Sequence, residues 1–245
     1  MATRWIPTEL GAGVVRLPVS FSTSEGMLDP GPDRVFADVL DYDSRAKLAR
    51  VSADRVSLGA DTVPFWVFRV ELDRTGLYSL VVDGGPADGA TFQLLEPSDF
   101  FVPRIGESMP SFDTPTFDDA RGVDPICSRE PGPCPFHEVT LTEARASGRP
   151  VIYMVGTPAH CSTGVCGPVL EQMIAATDLA ERAIVVHADV YTDETATVVA
   201  PAVEAARLTF EPVAFVIAGD GTIIERLDAV WSVAELRRAV DSLVS

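Results

Sequence analysis

Lysine is almost missing from this chain: Lys47 is the only one among 245 residues. That excludes Schiff-base chemistry and a lysine-rich phosphate site. Basic charge as a whole is scarce, with 19 Lys and Arg against 36 Asp and Glu and a formal net charge of −17. Such a field repels nucleic acid and anionic membrane surfaces, so neither is expected as a partner. No apolar run approaches the roughly 18–20 residues a spanning helix needs, so no membrane span is expected. The start, Met1-Ala2-Thr3-Arg4-Trp5-Ile6-Pro7, lacks the apolar core of a secretory signal. No glycine pattern suited to cradling phosphates follows a strand, and no cofactor is expected. Cysteine and histidine are rare as well, at four and three residues. Their placement therefore carries most of the information.

What remains is globular in character. An apolar share of 47% and a charged share of 22% fit a folded protein long enough for one large domain or two modest ones. Residues 1–102 carry short β-rich runs: Val14–Phe21, Arg34–Leu40, Val63–Leu72, Leu77–Val82 and Ala90–Leu95. Gly, Pro and Asp clusters such as Asp29-Pro30-Gly31-Pro32-Asp33 and Asp83-Gly84-Gly85-Pro86 separate them. This density of strands and turns predicts an all-β sandwich of immunoglobulin-like type, with a binding or spacer role. Asp73-Arg74-Thr75-Gly76-Leu77-Tyr78 has the pattern of a corner where a tyrosine hydroxyl bonds back to nearby backbone, although Tyr78 also reads as an ordinary half-buried strand residue. Residues 103–136 are rich in Pro, Gly and Asp without a sustained period and read as a connecting segment. Asp113 and Asp118-Asp119 within it read as a solvated acidic loop.

Residues 137–245 follow a different pattern. Thr140-Leu141-Thr142-Glu143 and Ser232-Val233-Ala234-Glu235 have capping-box spacing, predicting helices at 140–147 and near the C-terminus, where Leu236, Ala239, Val240 and Leu243 form the apolar face. Val151–Val155 and Ala183–Val190 read as buried strands, residues 168–182 as helix, and Ala196–Arg207 as a helix interrupted at Pro201. Val213–Ile217 and Thr222–Leu227 flank Ala218-Gly219-Asp220-Gly221, a hairpin signal. The order β-α-β-α-β-β-α predicts a helix-covered mixed sheet, parallel first and antiparallel at its end.

Cys161 and Cys166 fall between the first of these strands and its helix. A thiol there feels the unpaired N–H groups and positive dipole end of the helix, which favour thiolate. On a regular helix, residues five apart lie roughly 8–9 Å apart at Cα, too far for an unstrained disulfide. At least one of the pair must therefore sit outside regular helix if they bond, and Pro168 is well placed as the first helical residue. Cys161 reads as nucleophile, being nearer the strand end and beside His160, which could lower its pKa or act as base. Cys166 reads as the resolving thiol. The competing reading is a structural disulfide on a protein that only binds a partner.

Several residues resemble a thioredoxin-like domain: Cys161 and Cys166 at the strand–helix junction, Glu211-Pro212-Val213-Ala214-Phe215-Val216-Ile217 entering the hairpin, Gly219-Asp220-Gly221 as its turn, and Glu235-Leu236 in the last helix. Ile105-Gly106-Glu107-Ser108-Met109-Pro110-Ser111-Phe112 is similar to a leading segment of peroxiredoxins and extracytoplasmic thioredoxin-like reductases. The resemblance covers about residues 104–245. It implies a thioredoxin-like fold with a cis Pro212 packed beside the cysteines, shaping a pocket for thiol–disulfide exchange on protein or small thiol substrates. The C-x4-C spacing with Thr157-Pro158 upstream is closest to one group of peroxiredoxins. Thr157 stands one residue further from Cys161 than in that group, and Glu211 replaces its arginine.

Cys127 and Cys134 bracket Ser128-Arg129-Glu130-Pro131-Gly132-Pro133, a loop with a central turn. A structural disulfide closing this short ring is the first expectation, with a second redox pair as alternative. Zinc with His137 lacks a visible fourth ligand, and no metal residue is counted in the site. A copper-chaperone reading would pair Cys161 and Cys166 with His187 or His137. Two close cysteine pairs suit an oxidising compartment, so an extracytoplasmic location with an upstream anchor or signal is expected, otherwise a cytoplasmic one.

Overall fold

A computed structural model describes residues 1–28, 30–60 and 62–243. Asp29, first residue of the Asp29–Asp33 turn cluster, lies outside the described residues. The chain divides into two compact units, Met1–Phe100 and one beginning at Phe101. Residues 103–136 belong to the second unit and are not a free-standing connection.

The first unit is an all-antiparallel sheet in the order β1-β2-β7-β6-β5-β8-β9. Its strands are β1 (Ala2–Thr3), β2 (Gly13–Ser20), β5 (Arg34–Asp41), β6 (Lys47–Val56), β7 (Phe65–Leu72), β8 (Gly76–Val82) and β9 (Ala90–Leu94), with a small β3 (Ser22–Thr23) and β4 (Gly26–Met27) hairpin apart. Alternation sets the inner face: Val15, Leu17 and Val19 on β2, and Trp66, Phe68, Val70 and Leu72 on β7, are buried in one core. Two separately paired sheets were expected. Instead hydrogen bonding runs on through β6, which pairs with β5 along most of its length and with β7 at Arg55↔Trp66 and Val56↔Phe65. A parallel bridge, Gly11↔Leu95, brings the end of β9 beside the segment leading into β2, so the sheet is nearly closed. The Tyr78 hydroxyl donates to the Arg74 carbonyl at 2.7 Å, as the corner pattern anticipates.

In the second unit a four-stranded mixed sheet has the order β11-β10-β12-β13. β10 (Val151–Val155) runs parallel to β11 (Ile184–Ala188) and antiparallel to β12 (Val213–Ile217), which forms a hairpin with β13 (Ile223–Asp228). Every residue of β10 and β12 is buried, because helices and loops cover both faces. Both predicted capping boxes are present, Thr140 opening α1 (Leu141–Ala146) and Ser232 opening α5 (Val233–Asp241). The long helix expected at 168–182 is two helices, α2 (Cys166–Ala175) and α3 (Thr177–Arg182), broken at Ala176. The helix expected from Ala196 is only α4 (Pro201–Ala205): Pro201 occupies its first position, and Tyr191↔Val199 pair ahead of it as a bridge.

The irregular segment after Phe101 wraps both sides of this sheet. At the β13 side, Ile223 exchanges backbone hydrogen bonds with Gly106 and Glu107 at 2.8 and 2.9 Å. At the β11 side, the His187 amide donates to the Phe136 carbonyl at 3.0 Å.

Candidate functional site

β10 delivers the chain into a turn over residues 158–164. Gly164, at φ 68°, adopts a conformation that costs residues with a Cβ, and its amide donates to the Cys161 carbonyl at 3.0 Å. This turn folds Cys161 back over the helix start. Cys161 and Cys166 are joined by a disulfide with their Cα atoms 5.9 Å apart. The helix begins at Cys166, two residues before the expected Pro168, which still sits in the first turn, where a missing N–H leaves no intrahelical bond unmade. Cys161 lies outside the helix, as bonding requires.

The two sulfurs differ in surroundings. Cys166 is fully buried, whereas Cys161 is half-buried beside exposed residues 162–164. The Cys166 amide, at the helix start, donates to Cys161 Sγ at 3.3 Å, and Thr163 Oγ1 lies 3.2 Å from the same sulfur. These contacts, with the helix dipole, favour negative charge on Cys161.

Pro212 is buried and its bond to Glu211 is cis, as the resemblance implies. A Cβ built on Gly156 would lie 3.1 Å from Pro212 Cβ, 3.2 Å from Met154 Cε and 3.6 Å from Cys166 Cβ. Gly156 therefore lets Pro212 and Cys166 close on one another. Glu211 was noted in sequence only as an arginine replacement. In the structure its Oε2 accepts from the Thr157 amide at 2.6 Å and lies 3.6 Å from Cys166 Sγ. Burial, reinforced by the charge of Asp189, pushes the Glu211 carboxyl above the usual glutamate range against the pull of the Thr157 amide. A carboxyl so placed can hold or release a proton beside Cys166. Thr157 itself is buried, with its hydroxyl accepting from the Val190 amide at 2.9 Å.

His160 stands apart from this arrangement. It is exposed, its ring lies edge-on to Tyr191 at 6.2 Å, and among the described residues no hydrogen bond joins it to either sulfur.

Cys127 and Cys134 are free, buried thiols, so the expected disulfide between them is not formed. They converge instead with His137 and His187: one ligand atom from each of the four lies within 4.8 Å of all the others. His187 Nδ1 is 3.7 Å from Cys127 Sγ, 3.5 Å from Cys134 Sγ and 3.3 Å from His137 Nε2. Its Nε2 faces the Gly156 carbonyl at 2.9 Å, and His137 Nδ1 faces the Pro115 carbonyl at 3.4 Å. A hydrogen bond from the Cys134 thiol holds Cys127 towards thiolate against its burial, and correspondingly raises Cys134. Burial opposes charge on His187, but Cys127, Asp189 and the Gly156 carbonyl together outweigh it and raise the imidazole pKa. The copper-chaperone set of Cys161, Cys166 and His187 is not assembled, because His187 is committed to Gly156 and the second cysteine pair. The sequence offered His187 only as a possible copper ligand with Cys161 and Cys166, and nothing in it pointed to the Cys127 and Cys134 pair.

Compared with models of protein families, with curated proteins and with solved structures, the chain shows no match.

Proposed function

We propose that this protein carries out thiol–disulfide exchange on protein or small thiol substrates through Cys161 and Cys166, on a thioredoxin-like second unit. The observation that carries the reading is the amide of the first helical residue donating to the more accessible sulfur of a C-x4-C disulfide. The cis Pro212 beside the pair and the β-α-α-β-α-β-β-α order add support.

In the reducing direction the dithiol form reacts. The Cys161 thiolate, stabilised by the Cys166 amide and helix dipole, attacks one sulfur of a substrate disulfide and expels the other as a thiolate. Glu211 takes the proton from the Cys166 thiol, and the resulting thiolate attacks Cys161 Sγ in the mixed disulfide. The second substrate sulfur leaves as a thiolate. The substrate disulfide is reduced to two thiols and the protein dithiol is oxidised to the Cys161–Cys166 disulfide, which an external dithiol resets. The oxidising direction is the same sequence reversed.

Incubating the reduced full chain with glutathione disulfide tests this. Cys166→Ser should trap a one-to-one mixed disulfide at Cys161, identifiable by peptide mass. The unaltered protein should release glutathione and close its own disulfide, and Cys161→Ser should do neither. Alkylation of Cys161 with a free-thiol pH profile, together with no trapped adduct, would end the proposal.

A further inference from the structure

The four buried residues Cys127, Cys134, His137 and His187 are not used by the exchange chemistry, and three features of the cluster fit a bound metal ion. First, each histidine turns one ring nitrogen to a backbone carbonyl, His187 to Gly156 at 2.9 Å and His137 to Pro115 at 3.4 Å. A nitrogen facing a carbonyl carries the hydrogen, so the other nitrogen of a neutral ring is a bare lone pair. Those two inner nitrogens face each other at 3.3 Å. Two lone pairs at that distance repel unless a proton or a metal cation sits between or beside them.

Second, the three edges that meet at His187 Nδ1 fit one coordination polyhedron, and all four ligand atoms lie within 4.8 Å of one another. Zinc bonds of about 2.3 Å to sulfur and about 2.05 Å to nitrogen, at tetrahedral angles, predict edges of about 3.6 Å for S···N and about 3.3 Å for N···N. The corresponding separations in this cluster are 3.7, 3.5 and 3.3 Å. The carbonyl contacts behind the histidines are the outer-shell partners that fix a metal-binding tautomer.

Third, charge closes. Two thiolates and two neutral imidazoles around one divalent ion give a neutral assembly, the state a fully buried pocket tolerates best. All four residues are at most 4% exposed.

We propose that Cys127, Cys134, His137 and His187 form a closed, four-coordinate Zn2+ site. Binding exchanges the two thiol protons for two Zn–S bonds, with no change of oxidation state. No open position remains for substrate, so its role is structural. Three ligands come from the irregular segment and the fourth from β11, so the ion pins that segment to the sheet. The ligand pattern is C-x6-C-x2-H, with His187 fifty residues beyond His137.

The full chain, produced without an affinity tag and dialysed free of loose metal, should contain one zinc per molecule by elemental analysis. Cys161→Ser should keep that zinc, which separates this site from the exchange pair, while Cys127→Ser and His187→Gln should lose it. Because those variants can also fail to fold, the unaltered protein supplies a second measurement. Replacement with Co2+ should give thiolate charge-transfer bands and an intense tetrahedral ligand-field spectrum. Cys127 and Cys134 should alkylate under native conditions only once a strong chelator is added. Less than a tenth of an equivalent of zinc together with no cobalt spectrum, stoichiometric copper instead of zinc, or a Cys127–Cys134 disulfide in the purified chain would each overturn the proposal.

Discussion

Substituting Gly156 by alanine tests how the site around Cys161 and Cys166 is packed. The added methyl would meet Pro212 Cβ at 3.1 Å and Met154 Cε at 3.2 Å, both closer than comfortable contact. Met154 and Pro212 are buried in the sheet region, so relief requires moving the proline or the thioether rather than a free surface chain. Overpacking by one methyl in such surroundings costs about 1–3 kcal/mol. Gly167, eleven positions on, is the control: its nearest neighbour is Pro158 Cβ at 4.0 Å, and no left-handed φ is required there. Alanine at 167 narrows the unfolded ensemble and should stabilise by about 0.4–1 kcal/mol. Amide hydrogen exchange on peptides spanning β10 and β12 reads both effects. Gly156→Ala should accelerate exchange roughly 5- to 150-fold and Gly167→Ala should slow it. Gly156→Ala should also slow closure of the mixed disulfide by moving Pro212 away from Cys166. Unchanged or slower amide exchange in Gly156→Ala would refute the packing argument.

Glu211 gives a pH prediction whose sign follows from its raised pKa. Between the ordinary glutamate value and the raised one, the folded state holds the proton that the unfolded state has lost, so stability falls as pH rises through that window. Glu211→Gln should remove this fall and gain on the unaltered protein towards neutral pH in paired denaturation curves; the opposite divergence would contradict the burial argument. The same variant should slow resolution of the mixed disulfide while leaving its formation at Cys161 intact, as stopped-flow mixing with glutathione disulfide can separate. In the first unit, Tyr78→Phe removes the bond to the Arg74 carbonyl and should cost about 0.5–1.5 kcal/mol, measured by exchange of β8 amides.

The strands at 151–155 and 213–217 were legible because an unbroken apolar run between turn signals has one economical reading, a strand covered on both faces. The capping boxes at Thr140 and Ser232 were equally plain, since the motif satisfies its own backbone donors locally. β6 escaped notice: its inward residues are Ala49, Val51 and Ala53, while Leu48 is exposed, so alternation is faint in residues that also favour helices. The C-x4-C site was visible because the two thiols lie five positions apart in one short stretch of chain. The Cys127, Cys134, His137 and His187 cluster was not, because its fourth member comes from a strand sixty residues after the first. Only the parallel pairing of β10 and β11 and the path of residues 101–139 bring them together. Glu211 was hidden for a related reason, as it lies 45 residues beyond Cys166 and only the fold brings the two together.

The segment that starts at Phe101 meets the outer strands on both flanks, through Gly106 and Glu107 on one and Phe136 on the other. A guest β-strand from another molecule would have to break those pairings before it could dock at either place. Polymerisation by strand annealing is thus opposed by the chain's own wrapping, a safeguard that would weaken if the wrap came loose.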